Sequence, residues 1–445
     1  MLYSIYTLLG TSCLPICFLV ALANRFSGNT IFRDFGKRLF LWLPQITAYD
    51  TTRITTIWLH AASVGEVQVA EKLIRELEQT GNRRFFLTTM TRTGHALASE
   101  RLDGRAICLM APLDVPWLIR KAIAYIRPDL FVCIETELWP ALLTTIRKAG
   151  IPMALVNGRL SRRSFARYQK IAGPMRDLLA GFKTIVVISD QDAKRFATLS
   201  GRQDHIFVSG NSKHDGQYHE PGQLVAVRKR NREKLGIRDQ VVFICGSTRS
   251  GEEELLLPVY KQLKDACNGE LVWIVAPRHL ERINELLLFF NQQGIKPVLY
   301  SRCRPDAPAP ELIIIDCMGE LAELYAAGNF NFCGGSLVNR GGHNIMEVIS
   351  WGLPVYFGPH MDDFVDAATL VTEHGAGFQV SGSDELAELL VQHHDNKELY
   401  EQACQAATTV ARKQNMAVER QAEMILKLLE GQNKRSEMSK HQFVQ

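Results

Sequence analysis

The stretch IWLHAASVGEVQVAEKLIRELEQ, residues 57–79, decides the fold class of this chain. An apolar run over residues 57–60 predicts a buried strand, and residues 67–79 have the spacing of an amphipathic helix. The small residues of the turn between them let the backbone approach a ligand closely. Strand, tight turn and helix together are the unit from which doubly wound α/β domains are built.

The same succession of apolar run, turn and helix repeats along the chain from Ile54 onward. Near-continuous apolar strands that alternate with helices indicate parallel sheets covered on both faces. We therefore predict two doubly wound domains of similar size, with a cleft where the carboxyl ends of their strands face each other. The predicted strands are 57–60, 85–90, 106–110, 130–134, 153–157, 184–188 and 206–209 in the first half, and 241–245, 271–276, 297–300, 312–315, 330–333, 355–357 and 377–380 in the second.

The composition is that of an ordinary globular protein. Of the 445 residues, 46% are hydrophobic and 22% are charged, and the net charge is +4. These values exclude a disordered tail protein, a fibrous repeat and a polytopic membrane protein, and they give no reason to expect nucleic acid as a partner. Ten cysteines occur without a C-x-x-C pair, mostly within apolar runs, which indicates reduced thiols in a reducing compartment.

Residues 1–24 contain no Asp, Glu, Lys or Arg, and the first charged residue is Arg25. A helix of that length is long enough for a hydrocarbon core of about 30 Å. Since basic residues follow, the positive-inside rule keeps the rest of the chain in the cytoplasm. We predict a membrane anchor, either spanning or interfacial. A cleaved signal peptide and a merely buried helix are the alternatives.

The polar, charged stretch before residue 241 separates the two halves of the chain, and a polar tail ends it. The predicted organisation is an anchor at 1–24, a first Rossmann-like domain at 25–215, a linker with a first helix at 216–240, a second Rossmann-like domain at 241–430 and a disordered tail at 431–445.

Three charged side chains follow predicted strands of the first domain. Glu66 opens a helix, where the positive end of the helix dipole favours an ionised carboxylate. Glu135 ends the fourth strand, and Lys213 follows the last one, where its ammonium group would meet a ligand phosphate. On spacing alone each has an ordinary alternative: a carboxylate that stabilises a helix start, a capping residue and a solvated lysine.

Glycine-rich or small-residue turns follow consecutive strands of the second domain, and such loops supply backbone N–H groups to a phosphate. Glu347, on a helix after two glycines, suits the two hydroxyl groups of a ribose. The histidines stand alone on their loops, and no D-x-D dyad with further ligands accompanies Glu135 and Glu137, so we expect no metal. The turns are 246–251, 277–279, 316–321, 334–337 and 341–344.

Together these motifs resemble the 3-deoxy-D-manno-octulosonic acid (Kdo) transferases of Gram-negative bacteria, over about residues 58–370. The matching strings are Ser63-Val64-Gly65-Glu66, Thr88-Thr89-Met90-Thr91, Glu135-Thr136-Glu137-Leu138-Trp139-Pro140, Asn157-Gly158-Arg159-Leu160-Ser161, Pro277-Arg278-His279, Met318-Gly319-Glu320, Gly334-Gly335-Ser336-Leu337-Val338, Gly341-Gly342-His343-Asn344 and Phe357-Gly358-Pro359-His360.

The resemblance implies a GT-B glycosyltransferase that moves Kdo from CMP-Kdo to the lipid A precursor, lipid IVA, with inversion. It would act in lipopolysaccharide synthesis at the inner membrane surface, and no cofactor is expected. Glu66 would be the proton acceptor, with Glu135 and Lys213 supporting the transition state. The first domain would bind the acceptor, and the second would hold CMP through Pro277, Arg278, Met318, Gly319, Glu320, Asn344, Ile345, Met346 and Glu347.

The chain departs from the family pattern at three places. The family commonly has Asn-Pro-Leu-Glu where this chain has 344–347, and Thr-Pro-Thr-Gly where it has 91–94. In addition, residues 361–364 replace a less acidic run of the family. None of these departures touches Glu66. The alternatives to a Kdo transferase are a nucleotide-sugar epimerase, a GT-B transferase with a soluble acceptor, and a membrane-tethered binding protein without catalysis. The predicted anchor argues against the first two, and the three charged residues argue against the third.

Overall fold

The computed structural model describes residues 6, 12, 36–40, 43–44, 54–215 and 218–442. The predicted anchor at 1–24 therefore lies outside the described residues, except for Tyr6 and Ser12. In the described part of the chain, no helix combines the length and the apolar character that crossing a membrane requires. The chain divides into one unit formed by Met1–Asp215 and Met416–Gln445 and another formed by Gly216–Asn415.

In the first unit the described strands all pair in parallel, in the order β3-β2-β1-β4-β5-β6-β7. The strands are β1 (Thr55–Ala61), β2 (Arg83–Thr89), β3 (Ala106–Met110), β4 (Leu130–Ile134), β5 (Met153–Gly158), β6 (Phe182–Val187) and β7 (Ile206–Val208). The helices are α1 (Val64–Glu78), α2 (Arg92–Arg101), α3 (Pro116–Ile126), α4 (Pro140–Lys148), α5 (Arg162–Gln169), α6 (Ala172–Leu179) and α7 (Asp190–Ser200).

Helices cover both faces of this sheet, which is why its strands are apolar at nearly every position. On β1, Ile57 and Leu59 belong to the core cluster that contains the buried face of α1. Trp58, between them, points to the opposite core and packs edge-on against Phe131, with ring centroids 5.1 Å apart. The indole N–H of Trp58 is satisfied inside the core, because it donates to Thr88 Oγ1 at 2.9 Å.

The second unit repeats this architecture, and its described strands pair in parallel in the order β10-β11-β9-β8-β12-β13-β14. The strands are β8 (Val241–Thr248), β9 (Leu271–Pro277), β10 (Pro297–Leu299), β11 (Leu312–Ile314), β12 (Phe330–Cys333), β13 (Val355–Phe357) and β14 (Gly377–Gln379). The helices are α8 (Pro221–Lys234), α9 (Glu252–Ala266), α10 (Ile283–Gln292), α11 (Leu321–Leu324), α12 (Met346–Ile349), α13 (Val365–Glu373), α14 (Ser383–Asp395) and α15 (Lys397–Asn415).

Two doubly wound parallel α/β units confirm the fold class that the sequence predicted. The domain bounds differ from the prediction at the end of the chain, because helix α16 (Ala417–Gln442) belongs to the first unit. Its apolar face, formed by Val418, Ala422, Ile425 and Leu429, packs into the core cluster that contains α1. The second unit thus ends at Asn415 rather than at residue 430 and begins at Gly216, so that α8 lies within it.

Helix α16 continues to Gln442, into the stretch 431–445 for which the sequence predicted a disordered tail. Residues 432–442 contain neither glycine nor proline. Once the packed part of a helix is formed, each further residue of this kind extends it at little cost, because propagation is easier than nucleation.

Candidate active site

Glu66 lies in the first turn of α1, immediately after the carboxyl end of β1. Its carboxylate accepts a hydrogen bond from the Ser63 hydroxyl at 2.7 Å and another from the Ala62 backbone N–H at 2.7 Å. Ser63 is the N-cap, and its hydroxyl oxygen accepts the Glu66 N–H at 3.4 Å. The Ser63 half of a capping box is present, but the Glu66 carboxylate bonds the Ala62 N–H and the Ser63 hydroxyl rather than the Ser63 N–H. The helix-start alternative is therefore real: Glu66 stabilises the N-terminus of α1 whatever else it does.

The helix dipole alone predicted that Glu66 is readily ionised, but its environment in the structure disfavours the charged form. The side chain is buried, with the residue only 5% exposed. Burial raises the pKa of Glu66 to about 7; the hydrogen bonds from Ser63 and Ala62 oppose this shift, and the charges of Glu135 and Glu137 add to it. Desolvation outweighs the positive helix end, so the carboxyl group titrates near neutral pH. A carboxylate tuned in this way is matched to general-base work.

Glu135 follows β4 with a left-handed backbone, φ +58°. A residue with a side chain pays a steric cost for this conformation, on the order of 1–2 kcal/mol. The backbone is held there because the Glu135 N–H donates to the Val156 carbonyl on β5 at 2.9 Å. The carboxylate forms an ion pair with the Lys213 ammonium group. Strain that persists at a charged strand end is typical of functional sites.

Lys213 lies on a 3₁₀ turn, Ser212–His214, that follows β7. Backbone N–H groups of this turn are held by two side chains: Ser212 donates to Asn157 Oδ1 at 2.9 Å, and Lys213 donates to Asn211 Oδ1 at 3.0 Å. The Lys213 side chain passes beside the N-terminus of α1. A methyl group on Gly65 would lie 3.4 Å from both Cε and Nζ of Lys213. Lys213 is therefore not a solvated surface lysine.

The structure thus brings together Glu66, Glu135 and Lys213, which follow three different strands of one parallel sheet. Sequence reasoning missed two residues that support them. Lys72, on α1, donates to two carbonyl groups of the turn that carries Lys213 and to the carbonyl group of Asp215, which follows it. Asn157, 1% exposed at φ +53°, anchors the same turn. A polar residue ending an apolar strand was the available signal for Asn157; for Lys72, a lysine within an amphipathic helix gave none.

In the second unit, the four stretches assigned to CMP or flanking it follow four adjacent strands. The strands β11, β9, β8 and β12 lie side by side in this order. Because these strands are parallel, their carboxyl ends lie at the same end of the sheet, called here the carboxyl edge. The stretches that follow them are 316–320, 278–279, 249–251 and 334–344.

Within this edge, Asn344 and Glu347 form one hydrogen-bonded group. Asn344 Nδ2 donates to Glu347 Oε1 at 3.2 Å, and Asn344 Oδ1 accepts the Met346 N–H at 3.2 Å. Burial raises the pKa of Glu347, and the charge of Arg278 opposes the shift, which places the guanidinium within electrostatic reach of this carboxylate. Ile345 and Met346 are themselves buried, so they can offer a ligand their backbone.

The loop 316–320 has its own anchors. Tyr300 OH donates to Glu320 Oε2 at 3.0 Å, and the Lys234 ammonium lies 3.9 Å from the same oxygen. Gly319 has φ +93°, a conformation that favours glycine. Met318 is 65% exposed, unusual for an apolar side chain on a strand-end loop. Pro277 closes β9 and stays buried.

Glu252, for which the sequence analysis predicted no role, shapes the glycine-rich loops at this end of the second sheet. Its buried carboxylate accepts four backbone N–H groups, from Arg249, Gly335, Ser336 and Leu337, at 2.6–3.0 Å. These bonds tie the start of α9 to the loop after β12. The donors compensate for the loss of water, so a buried charge is tolerated here. In the sequence, the only sign of this role is a glutamate at the start of an acidic helix, and such a glutamate is too common to be singled out.

Three nitrogen-rich side chains meet next to this loop. Arg249 Nε donates to His343 Nε2 at 3.3 Å, and Arg249 NH1 lies 2.6 Å from His279 Nε2. Burial lowers the pKa of His343 to about 4, and the charges of Arg249 and Arg278 add to this shift. The arginines therefore remain the fixed positive charges of the edge. In the described part of the chain, no group of three or more His, Cys, Asp or Glu side chains is placed to bind a metal ion.

Two doubly wound units, one with a carboxylate–lysine cluster and the other with four loops suited to a nucleotide, define a GT-B protein, the class of many nucleotide-sugar enzymes. A solved UDP-GlcNAc 2-epimerase from Neisseria meningitidis shares the fold, with a TM-score of 0.54 at 14% sequence identity, over 84% of this chain and 100% of the epimerase chain.

Residues 34–216 match the family model described as 3-deoxy-D-manno-octulosonic-acid transferase (kdotransferase). A 3-deoxy-D-manno-octulosonic acid transferase from Haemophilus influenzae is 30% identical over 377 residues, which cover 84% of this chain and 87% of the relative. A bifunctional glycosyltransferase/methyltransferase from Fusobacterium nucleatum is 29% identical over 402 residues, 87% of this chain but 62% of that longer protein.

The chain belongs to the Kdo transferase family, and it is a glycosyltransferase. The family resemblance drawn from the motifs is confirmed, and the epimerase alternative is not favoured.

Proposed function

We propose that this protein transfers Kdo from CMP-Kdo to lipid IVA, the lipid A precursor, with inversion at the anomeric carbon and Glu66 as the general base. The observation that carries the proposal is the setting of Glu66: a buried carboxyl group whose pKa is raised to about 7, within electrostatic reach of Glu135. The Lys213–Glu135 ion pair lies beside the same helix start.

In this mechanism an acceptor hydroxyl oxygen attacks the anomeric carbon of Kdo. The new C–O bond forms as the bond to the CMP phosphate breaks, and the electron pair of that bond leaves with the phosphate. Glu66 takes the hydroxyl proton, which a weakly acidic alcohol does not release unaided. Direct displacement by a single nucleophile inverts the configuration. Lys213 and Glu135 stabilise the charge that develops during the transfer.

The donor is supported by the edge of the second sheet. We assign the CMP moiety to Pro277, Arg278, Met318, Gly319, Glu320, Asn344, Ile345, Met346 and Glu347. The Arg278 guanidinium suits the phosphate, and the Glu347 carboxylate suits the ribose hydroxyls. No metal is required in this proposal, because arginine and backbone N–H groups can meet the single phosphate charge.

A lipid acceptor brings the site to a membrane surface, and we propose the cytoplasmic face of the inner membrane, with residues 1–24 as the anchor. Helix α5 supports this. It carries Arg162, Arg163 and Arg167 without an acidic residue, and all three are exposed. Ile171, just after the helix, is 45% exposed. Basic side chains beside an apolar one are typical of a surface that meets anionic lipids.

The decisive experiment offers the purified protein CMP-Kdo together with lipid IVA and follows both substrates by mass spectrometry. A Kdo-lipid product together with free CMP supports the proposal. Transfer to a soluble sugar but not to the lipid would remove the acceptor assignment. Unchanged substrates with a folded protein would remove the donor assignment as well.

A further inference from the structure

Helix α1 holds two parts of the cluster at once. Glu66 lies in its first turn, and Lys72 follows further along the same helix. The Lys72 ammonium donates to the carbonyl oxygens of Asp215 at 2.6 Å, Ser212 at 3.0 Å and Lys213 at 3.3 Å. An ammonium group has three N–H donors, and the turn together with Asp215, the residue that follows it, supplies three acceptors. One ammonium group on α1 thus holds this segment through three hydrogen bonds to backbone carbonyl groups.

The contact differs from that of an ordinary surface lysine. Lys72 is half-buried. Burial lowers the pKa of its ammonium group, and the charges of Asp215 and Glu71 oppose this shift. Removing the ammonium would leave the three carbonyl groups without their shared donor.

The turn that Lys72 binds is the one that carries Lys213. One of the three acceptors is the Lys213 carbonyl itself. The Lys213 ammonium then reaches Glu135 past Gly65, where an added methyl group would lie 3.4 Å from both Cε and Nζ of Lys213, an ordinary van der Waals contact. A small shift of the turn would therefore move the Lys213 ammonium relative to both carboxylates.

We propose that Lys72 is a positioning residue, which fixes the Lys213 ammonium relative to Glu66 by fastening both to α1. The inference rests on the function proposed above for Lys213 and Glu66. Other contacts keep the turn folded without Lys72: Asn157 accepts from Ser212, and the Asp215 carboxylate accepts the Val418 N–H at the start of α16. Loss of Lys72 should thus loosen Lys213 without unfolding the unit.

The test compares Lys72→Met, which keeps the long unbranched stem, with Lys72→Arg, which restores a cation. We expect Lys72→Met to lower kcat roughly 10–100-fold, the scale of a small misplacement of a catalytic group. The KM for CMP-Kdo should not change, and Lys72→Arg should recover part of the loss. In a Lys213→Met background, adding Lys72→Met should cost nothing further. The control is Lys427→Met, since Lys427 is an exposed helical lysine of the same unit that pairs with Glu423.

A second readout does not depend on activity. Acylation of Lys213 by acetic anhydride, followed by mass spectrometry of the folded protein, should be faster in Lys72→Met than in wild type or Lys427→Met. Unchanged labelling of Lys213 together with unchanged kcat in Lys72→Met would overturn the inference. An equal loss of kcat when Lys72→Met is added to the Lys213→Met background would also overturn it, because Lys72 would then have a general structural role. If Lys213→Met itself keeps full turnover, the proposed role of Lys213 fails, and the labelling still decides whether Lys72 positions it.

Discussion

The Lys213 ammonium forms an ion pair with the Glu135 carboxylate, although β7, which precedes Lys213, lies at the edge of the sheet and β4 near its centre. The 3₁₀ turn after β7 and its contacts with α1 bring the lysine back over the strand ends. A positive charge thereby reaches Glu135 beside the start of α1, which carries Glu66. It lies against a carboxylate whose charge raises the pKa of both Glu66 and Glu137.

The first prediction concerns this ion pair. Glu135→Gln and Lys213→Met should each lower kcat, and the double variant should lose far less than the product of the two. Groups in direct contact couple by about 0.5–3 kcal/mol. A double-mutant cycle on single-turnover rates measures the coupling. Independent, multiplying losses would show that the pair does not act as a unit.

The second prediction concerns Glu66. Glu66→Gln keeps a hydrogen-bonding side chain at the helix start but cannot take the acceptor proton. It should lower the chemical rate by at least about 100-fold, within the usual contribution of a general base. CMP affinity, measured by calorimetry, should stay nearly unchanged because the assigned CMP residues lie in the other unit.

The matched control is Glu76→Gln, on the same helix, where the carboxylate contacts Gln79 at 3.3 Å. This variant should turn over normally. Near-normal turnover of Glu66→Gln would exclude Glu66 as the base and shift attention to Glu135. Early thermal unfolding together with lost CMP binding would show that the capping role of Glu66 dominates.

The pH dependence follows from the raised pKa of Glu66, about 7. A general base works only when ionised, so kcat/KM should rise with pH along a limb with an apparent pKa near 7. The neighbouring Glu137 charge contributes to this shift, and Glu137→Gln should move the limb to lower pH. Rate profiles of both proteins measure it. A limb that stays in place would show that another group controls it.

The same shift affects stability, with a definite sign. The folded pKa of Glu66 lies above its ordinary value of 4.5, so its contribution to stability is fully present below pH 4.5 and is lost as the pH rises through 7. The loss is on the order of 3 kcal/mol. Relative to Glu66→Gln, the wild-type free energy of unfolding should therefore fall between pH 4.5 and 7 in urea titrations. A constant difference across this range would contradict the shift.

Much of the fold could be predicted from the sequence, because apolar runs such as 57–60 and 271–276 alternate with helical spacing throughout. The return of α16 to the first unit could not. Val418, Ala422, Ile425 and Leu429 mark an apolar helix face, but such a face does not specify the helix it packs against. In the structure the partner is α1, which lies more than 300 residues earlier in the chain.

For the candidate site, the sequence located the charged residues but not their mutual contacts. Glu66, Glu135 and Lys213 each follow a strand, and parallel strands bring their ends to one edge. Which ends meet depends on the strand order, and the position of the Lys213 side chain depends on the turn after β7 and its contacts with α1. The pKa of Glu66 depends on burial, which outweighs the helix dipole and which no local pattern reveals.

The metal prediction follows from the single phosphate of a CMP-sugar. Its leaving charge can be met by Arg278 and by backbone N–H groups at the glycine-rich edge. Turnover should therefore be the same after exhaustive treatment with EDTA as before it. Activity that disappears on chelation and returns with Mg²⁺ or another divalent ion would overturn the prediction.

The last prediction concerns the membrane. Deleting residues 1–24 should release a protein that no longer sediments fully with vesicles but still binds CMP, because the assigned CMP residues belong to the second unit. The deletion also removes Tyr6, whose hydroxyl donates to Asp114 at 2.7 Å, and a single exposed hydrogen bond of this kind contributes about 1 kcal/mol. The truncated protein should therefore remain folded.

Any remaining affinity of the truncated protein for vesicles should depend on anionic lipid and fall with salt, because the exposed arginines of α5 would supply it. Replacing Arg162, Arg163 and Arg167 by glutamine in the truncated protein should remove that remainder. Full sedimentation of the truncated protein would show that residues 1–24 are not the anchor.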